Sequence, residues 1–220
     1  MKLTYTIQVC NESRELFSLV NFLQKVKNDE DEINVVVDTN HVTDKVEDVL
    51  SFFSDGIHVF RRPFDDFCKN TNYHKSVASG DYIFHIDADE MPQEDLIVNL
   101  KQIIESSNAD VIYVPRMNIH PGATRAFLEE MKFNVNESGW VNWPDYQGRV
   151  YKNADHISWS DELHSKLVGT DKVVAIQANP RLGMWHIKSL EKQASRWKKI
   201  EDGTYTISSP EKNSLYDKLM

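Results

Sequence analysis

Asp87-Ala88-Asp89-Glu90 follows the apolar run Tyr82-Ile83-Phe84-His85-Ile86. The run reads as a buried strand with carboxylates at its tip. Residues two apart on an extended chain point to one face, so Asp87 and Asp89 are expected side by side. Clustered carboxylates repel unless a cation neutralises them. One or two carboxylates, completed by substrate phosphates, suit Mg2+ or Mn2+. The expected chemistry is a divalent-metal site that holds a phosphorylated ligand at the carboxyl end of a strand, where open α/β sheets place ligands. The competing reading has these carboxylates capping the next helix, near Glu94-Asp95-Leu96.

Other groups join them. Asp38 ends the apolar stretch Val35-Val36-Val37, where a carboxylate accepts hydrogen bonds from a base or ribose or simply meets solvent. His186, in Met184-Trp185-His186, offers a neutral imidazole as a further metal ligand. Lys188, Lys192, Arg196 and Lys199 fall at helical spacing opposite Leu190, Ala194, Trp197 and Ile200, a solvated face or one that attracts phosphates. Asp145 lies in Trp143-Pro144-Asp145-Tyr146, and a carboxylate set among aromatics with a raised pKa suits a general base. Asp161 and Glu162, before His164, are the other base candidates. Trp140, Trp143 and Trp159 are a sugar-stacking platform or packing residues.

These groups need elements to hold them. Residues 3–9 read as a strand, followed by a helix carrying Leu16, Leu19, Val20, Leu23 and Val26, with Asn11 or Ser13 as its cap. Strands follow over 33–37, 57–60, 82–86 and 111–114, with helices over 43–53, 66–78 and 96–104 between them. This alternation predicts a mostly parallel sheet covered by helices through residue 115. Residues 117–162 are rich in glycine, proline and aromatics and read as loops, with short strands near 149–151 and 163–168. A helix is expected over 188–200 and a tail with little core signal from 203 to 220.

The chain has 220 residues, 40% of them hydrophobic and 27% charged, which suits one soluble domain with a sizeable core. The net charge of −9 argues against a general polyanion binder, because non-specific nucleic-acid affinity needs Lys and Arg to neutralise phosphates. Cys10 and Cys68 form no C-x-x-C pair, so reduced thiols in a cytoplasmic protein are expected. No apolar run reaches the ~18 residues of a membrane span. Peripheral membrane contact stays open.

Taken in order, the motifs resemble glycosyltransferase family 2, whose members have the GT-A fold. The matching features are Ile7-Gln8-Val9-Cys10-Asn11-Glu12, Val35-Val36-Val37-Asp38 with Thr43-Asp44, and Asn72 with Ala78, Gly80, Asp81 and Tyr82 ahead of Asp87-Ala88-Asp89-Glu90. Gly139-Trp140, Pro144-Asp145-Tyr146-Gln147, Arg149 and Leu163-His164 resemble the subgroup of lipopolysaccharide-core glucosyltransferases. The resemblance implies a single GT-A domain over 1–202. Its nucleotide-binding half, over 1–115, is Rossmann-like, and its acceptor half, over 116–202, is loop-rich. The implied reaction is metal-dependent, inverting transfer from a nucleotide-sugar, a UDP-sugar in particular, to a hydroxyl of a glycan or lipopolysaccharide-core sugar. Asp38, Asn72, Asp87, Ala88 and Lys188 would bind the donor. Asp87, Asp89 and His186 would hold Mn2+ or Mg2+, and Asp145 would be the acceptor-side base. Ser165 stands where the subgroup has a glutamate, which leaves the base open among Asp145, Asp161 and Glu162. Hydroxymethylated bases of phage DNA are an alternative acceptor, and a non-catalytic sugar-binding module an alternative class. A phosphatase would want Thr or Val where Met91 stands, and Met91-Pro92 excludes an EF-hand.

Overall fold

The computed structural model describes residues 1–130, 132–160 and 166–188. The alternation expected from the sequence is present: β1 (Leu3–Val9), α1 (Ser13–Val26), β2 (Glu32–Asp38), α2 (Asp44–Phe52), β3 (His58–Arg62), α3 (Phe67–Ser76) and β4 (Tyr82–Asp87). Next come β5 (Glu90–Pro92), α4 (Glu94–Ser107), β6 (Val111–Ile119), α5 (Arg125–Glu130) and β7 (Val141–Lys152). β8 (Ser158–Ser160), β9 (Lys166–Val168), β10 (Val173–Ala175), a 3-10 turn (Pro180–Leu182) and β11 (Met184–Ile187) complete the described chain.

The main sheet has the order β3-β2-β1-β4-β7-β6-β11-β5, with β10 also on β6, while β8 and β9 form a separate pair. β3, β2, β1 and β4 are parallel. β7 runs antiparallel between β4 and β6, β11 is parallel to β6, and β5 is antiparallel to β11. The architecture is α/β, a mostly parallel sheet flanked by helices. The register of β1 with β2 and β4 places Asp38 and Asp87 on the same carboxyl edge.

The pleat of β1 sorts its side chains. Leu3, Tyr5, Ile7 and Val9 join the main core with Leu16, Leu19 and Leu23 of α1, Leu50 of α2 and Leu96 and Leu100 of α4. Full burial of such an apolar side chain stabilises the fold by about 1.5–3 kcal/mol. Thr6 and Gln8 point to the opposite face. There Thr6 Oγ1 lies 2.6 Å from His74 Nδ1, and Gln8 Oε1 accepts from Asn70 Nδ2 at 2.9 Å, both on α3. Ile83, Val111, Tyr151 and Ile157 make a second, smaller core.

Several readings of the chain change. Glu12, not Asn11 or Ser13, precedes α1, and its carboxylate turns back to accept from the Cys10 and Asn11 amides. β5 and β11 are three and four residues long, too short to show a periodicity. β7 carries Pro144 and Gly148 yet is a twelve-residue strand, because β6 pairs with it over most of its length, while β4 pairs only with Val150, Tyr151 and Lys152. β6 runs across residue 115. The expected helix over 188–200, beyond Lys188, and the tail lie outside the described residues, as do Lys192, Arg196 and Lys199. Among the described residues no helix is long and apolar enough to cross a membrane.

Candidate active site

β4 ends at Asp87, Ala88 and Asp89 form a turn, and Glu90 opens β5. The turn ends the extended geometry, so Asp87 and Asp89 part company. Asp87 Oδ2 accepts from Arg149 Nη2 at 2.7 Å, and its Oδ1 lies 3.6 Å from His85 Nε2. Burial alone would raise this carboxyl, but Arg149 and His85 beside it together outweigh burial and hold it well below the usual range. Asp89 faces β11 instead, with Oδ1 3.7 Å from His186 Nε2 and Oδ2 3.4 Å from Lys188 Nζ. The helix-cap reading fails, since the position before α4 is Gln93, which makes no side-chain cap.

The expected trio of Asp87, Asp89 and His186 is not brought together. Among the described residues no three His, Cys, Asp or Glu side chains gather as a metal cage. Asp89 and His186 approach each other, while Asp87 is taken by Arg149. Burial, then the nearby Arg116 charge, pushes the His186 imidazole down to about 3, so it is neutral. Its Nδ1 lies 2.7 Å from Asn118 Oδ1, which leaves Nε2 toward Asp89. One carboxylate and one neutral imidazole fit Mn2+ or Mg2+ whose other positions go to phosphate and water.

A buried ion network lies behind this pair. Glu90, 1% exposed, accepts from Arg116 Nη1 at 2.8 Å and from Arg149 Nη2 at 2.5 Å, and from the Asp87 amide at 3.1 Å. Arg116 also donates to Asp145 Oδ2 through Nε at 2.9 Å and Nη2 at 2.6 Å. Asn118 Nδ2 and Gln147 Nε2 add 2.8 and 2.9 Å bonds to the same carboxylate. Asp145 was expected to have a raised pKa among aromatic rings. Burial does raise it, but Arg116 and these amides win, and its pKa is lowered. Arg116, Asn118 and the ionic role of Arg149 were missed. The available signal was Arg116 and Asn118, two polar residues at strand spacing inside Val111–Ile119.

Other candidates are spoken for by the fold. Asn72 grips the main chain of β8, donating to Trp159 O at 2.9 Å and accepting from Trp159 N at 3.0 Å. Asn72, expected to bind the donor, thus has both ends of its amide engaged by β8. Ala88 is buried, and its amide donates to Gln8 O at 3.1 Å. Asp38 accepts from the Asn40 and Phe64 amides at 3.0 and 2.9 Å and meets His41 Nδ1 at 2.8 Å. Burial raises its pKa, but these partners together outweigh burial, and its pKa is lowered. Trp140 and Trp143 pair edge to face at 5.2 Å, whereas Trp159 packs on Tyr151. The three tryptophans therefore form no single platform. Trp159 instead walls a cavity of about 470 Å³ with Gln8, Thr71, His85, Asp87 and Arg149. Asp161, Glu162 and His164 lie outside the described residues.

An open, mostly parallel sheet with an acidic turn and a cavity at its carboxyl edge is the architecture of GT-A glycosyltransferases. The profile described as Glycosyl transferase family 2 matches residues 6–160, and the chain belongs to that family. No curated protein matches the chain. Its fold is similar to that of S. aureus TarS, with a TM-score of 0.59 and 14% identity over 97% of this chain and 41% of that one. The 1–349 portion of TarS in complex with UDP-GlcNAc superposes with a TM-score of 0.59 at 12% identity, over 100% of this chain and 72% of that one. Mannosyltransferase PcManGT from Pyrobaculum calidifontis, in complex with GDP-Man and Mn2+, gives 0.58 at 13% identity, over 99% and 68%. The chain thus spans less than half of the longer TarS chain.

Proposed function

We propose that the chain transfers a sugar from a nucleotide-sugar, a UDP-sugar in particular, to an acceptor hydroxyl with inversion, using Mn2+ or Mg2+. The observation that carries this reading is Asp89 facing His186 Nε2 and Lys188 Nζ at the carboxyl edge, beside the cavity that Asp87 fronts. Family membership supports the reaction class. Neighbours of the same fold hold UDP-GlcNAc, or GDP-Man with Mn2+.

When bound, the cation supplies Lewis-acid stabilisation of the leaving diphosphate. Asp89 and His186 hold it, and Lys188 adds a positive charge for phosphate oxygens. Asp87, which lines the cavity, offers a carboxylate for the nucleoside, while Asp38 holds the Asn40 and Phe64 amides at the same edge of the sheet. The base deprotonates the acceptor hydroxyl. Asp145 accepts four hydrogen bonds and has a lowered pKa, which favours Asp161 or Glu162 for that role. The likeness of Gly139-Trp140 and Pro144-Asp145-Tyr146-Gln147 to lipopolysaccharide-core enzymes supports a glycan acceptor.

A screen of UDP-sugars and GDP-Man, with and without Mn2+, tests the reading. The expected result is a metal-dependent rise in melting temperature and metal-dependent release of nucleoside diphosphate. Binding without release in the presence of every acceptor class tried would make the chain a binding module. Equal release in excess EDTA would remove the metal from the reading.

A further inference from the structure

We infer that Asn118 is a positioning residue that holds His186 in the tautomer able to bind the metal. The inference rests on the metal reading above and adds to it a residue that never touches the metal. It begins with register. β6 and β11 are parallel, and Asn118 stands directly opposite His186. On the other side of β6, Asn118 pairs with Val141 and Arg116 pairs with Asp145. Side chains at such positions share a face of the sheet and touch.

The orientation of the Asn118 amide is fixed by its neighbours. Asp145 Oδ2, at 2.8 Å, and Val141 O, at 3.3 Å, are acceptors, so the Asn118 NH2 group must face them. Its Oδ1 then faces His186 Nδ1 at 2.7 Å, and an amide oxygen can only accept. The proton of the neutral imidazole therefore sits on Nδ1, and Nε2 presents its lone pair 3.7 Å from the Asp89 carboxylate. The opposite tautomer would point an N–H at Asp89 and leave no lone pair for a cation. Arg116 completes the chain of control, since its two bonds to Asp145 fix the carboxylate that orients Asn118. Outer hydrogen bonds of this kind set both the tautomer and the basicity of histidine ligands.

Nitrogen-15 NMR of the imidazoles in the metal-free protein reads the tautomer directly, with His186→Gln used to assign the signal. Protonation at Nδ1 is expected, and protonation at Nε2 would overturn the inference without any variant at Asn118. Asn118→Leu removes the acceptor at similar volume. The proton should shift to Nε2, and Mn2+ affinity in the presence of UDP should fall roughly ten- to hundredfold. Asn118→Asp keeps an acceptor for Nδ1 but sets a like charge beside Asp145. A purely structural role makes Asp the worse replacement, whereas tautomer control makes Leu worse for Mn2+. An unmoved tautomer in Asn118→Leu, or an unmoved Mn2+ affinity, overturns the inference. Failure of the unsubstituted protein to bind Mn2+ with UDP overturns the metal reading beneath it, and an intact Nδ1–H signal identifies that failure as the cause.

Discussion

Asp89 and His186 are far apart in sequence and meet only because β11 lies between β6 and β5. On the proposed metal reading, removing either side chain should weaken the stabilisation of a leaving diphosphate. Asp89→Ala is expected to lower transfer by roughly a thousandfold, or about 4 kcal/mol of barrier, with the fold intact by circular dichroism. Near-normal turnover would show that this turn holds no functional cation. Asp145 behaves differently from a carboxylate poised to take a proton. Its partners favour the charged form, and its tie to Asn118, which in turn meets His186, makes it a support of the proposed metal site. Asp145→Asn should therefore cost transfer mainly through weaker Mn2+ binding. Asp161→Asn or Glu162→Gln should cost about a hundredfold or more at saturating metal, the scale of a lost general base. A hundredfold loss in Asp145→Asn that excess Mn2+ does not relieve would return the base role to Asp145.

Between elements, two side chains tie distant segments together. Asn72 of α3 clasps the Trp159 main chain through both a donor and an acceptor, and so holds β8 as a wall of the cavity. Asn72→Leu should leave both Trp159 main-chain groups without that partner. A destabilisation of about 1–3 kcal/mol is expected, with faster amide hydrogen exchange confined to β8 and β9. Uniform exchange across the sheet would argue against a local clasp. Glu32 opens β2 and accepts from Lys2 Nζ, Thr4 Oγ1, Ser79 N and Ser79 Oγ, joining β2 to β1 and to the turn before β4. Burial raises its pKa, but those donors prevail and lower it to about 2. A carboxylate depressed in the folded state stabilises fully above its unfolded pKa, about 4.3, and that stability is lost as pH falls toward 2. Urea melts at pH 7, 4 and 2 should show Glu32→Gln weaker than the parent at pH 7 and converging on it at pH 2. A constant gap would mean that the charge of Glu32 does not matter.

At the scale of the whole molecule, charge bears on the acceptor. A net charge of −9 leaves little electrostatic attraction for phosphate backbones. The protein is expected to pass duplex DNA columns unretained at physiological salt. Retention that weakens steeply with added salt would revive hydroxymethylated bases as acceptor. The sheet itself has a division of labour. Its α1, α2 and α4 side is apolar, whereas the α3 side buries Thr6, His74 and His85 and opens into the cavity. Burying polar groups costs stability unless they are paired, and Thr6 and His74 meet this cost by pairing with each other.

The sequence by itself determined the strands and helices up to β4, the acidic turn and the carboxyl edge that carries Asp38 and Asp87. Those features are local: apolar runs, helical spacing and turn chemistry act within about ten residues. His186 was legible as a ligand candidate and Asn72 as a chosen position, but the role of Asn72 as a clasp was not. Only the tertiary structure decided that Asp87 belongs to Arg149 and Asp89 to His186, and that Glu90 joins the buried network. It also decided that Asp145 would be held charged rather than raised in pKa. Each of these depends on β7 entering between β4 and β6, and on the register of β11 against Asn118. Strand order and register are set by long-range pairing. A shift of one residue would turn every one of these side chains to the other face, and no local pattern in the chain records that choice.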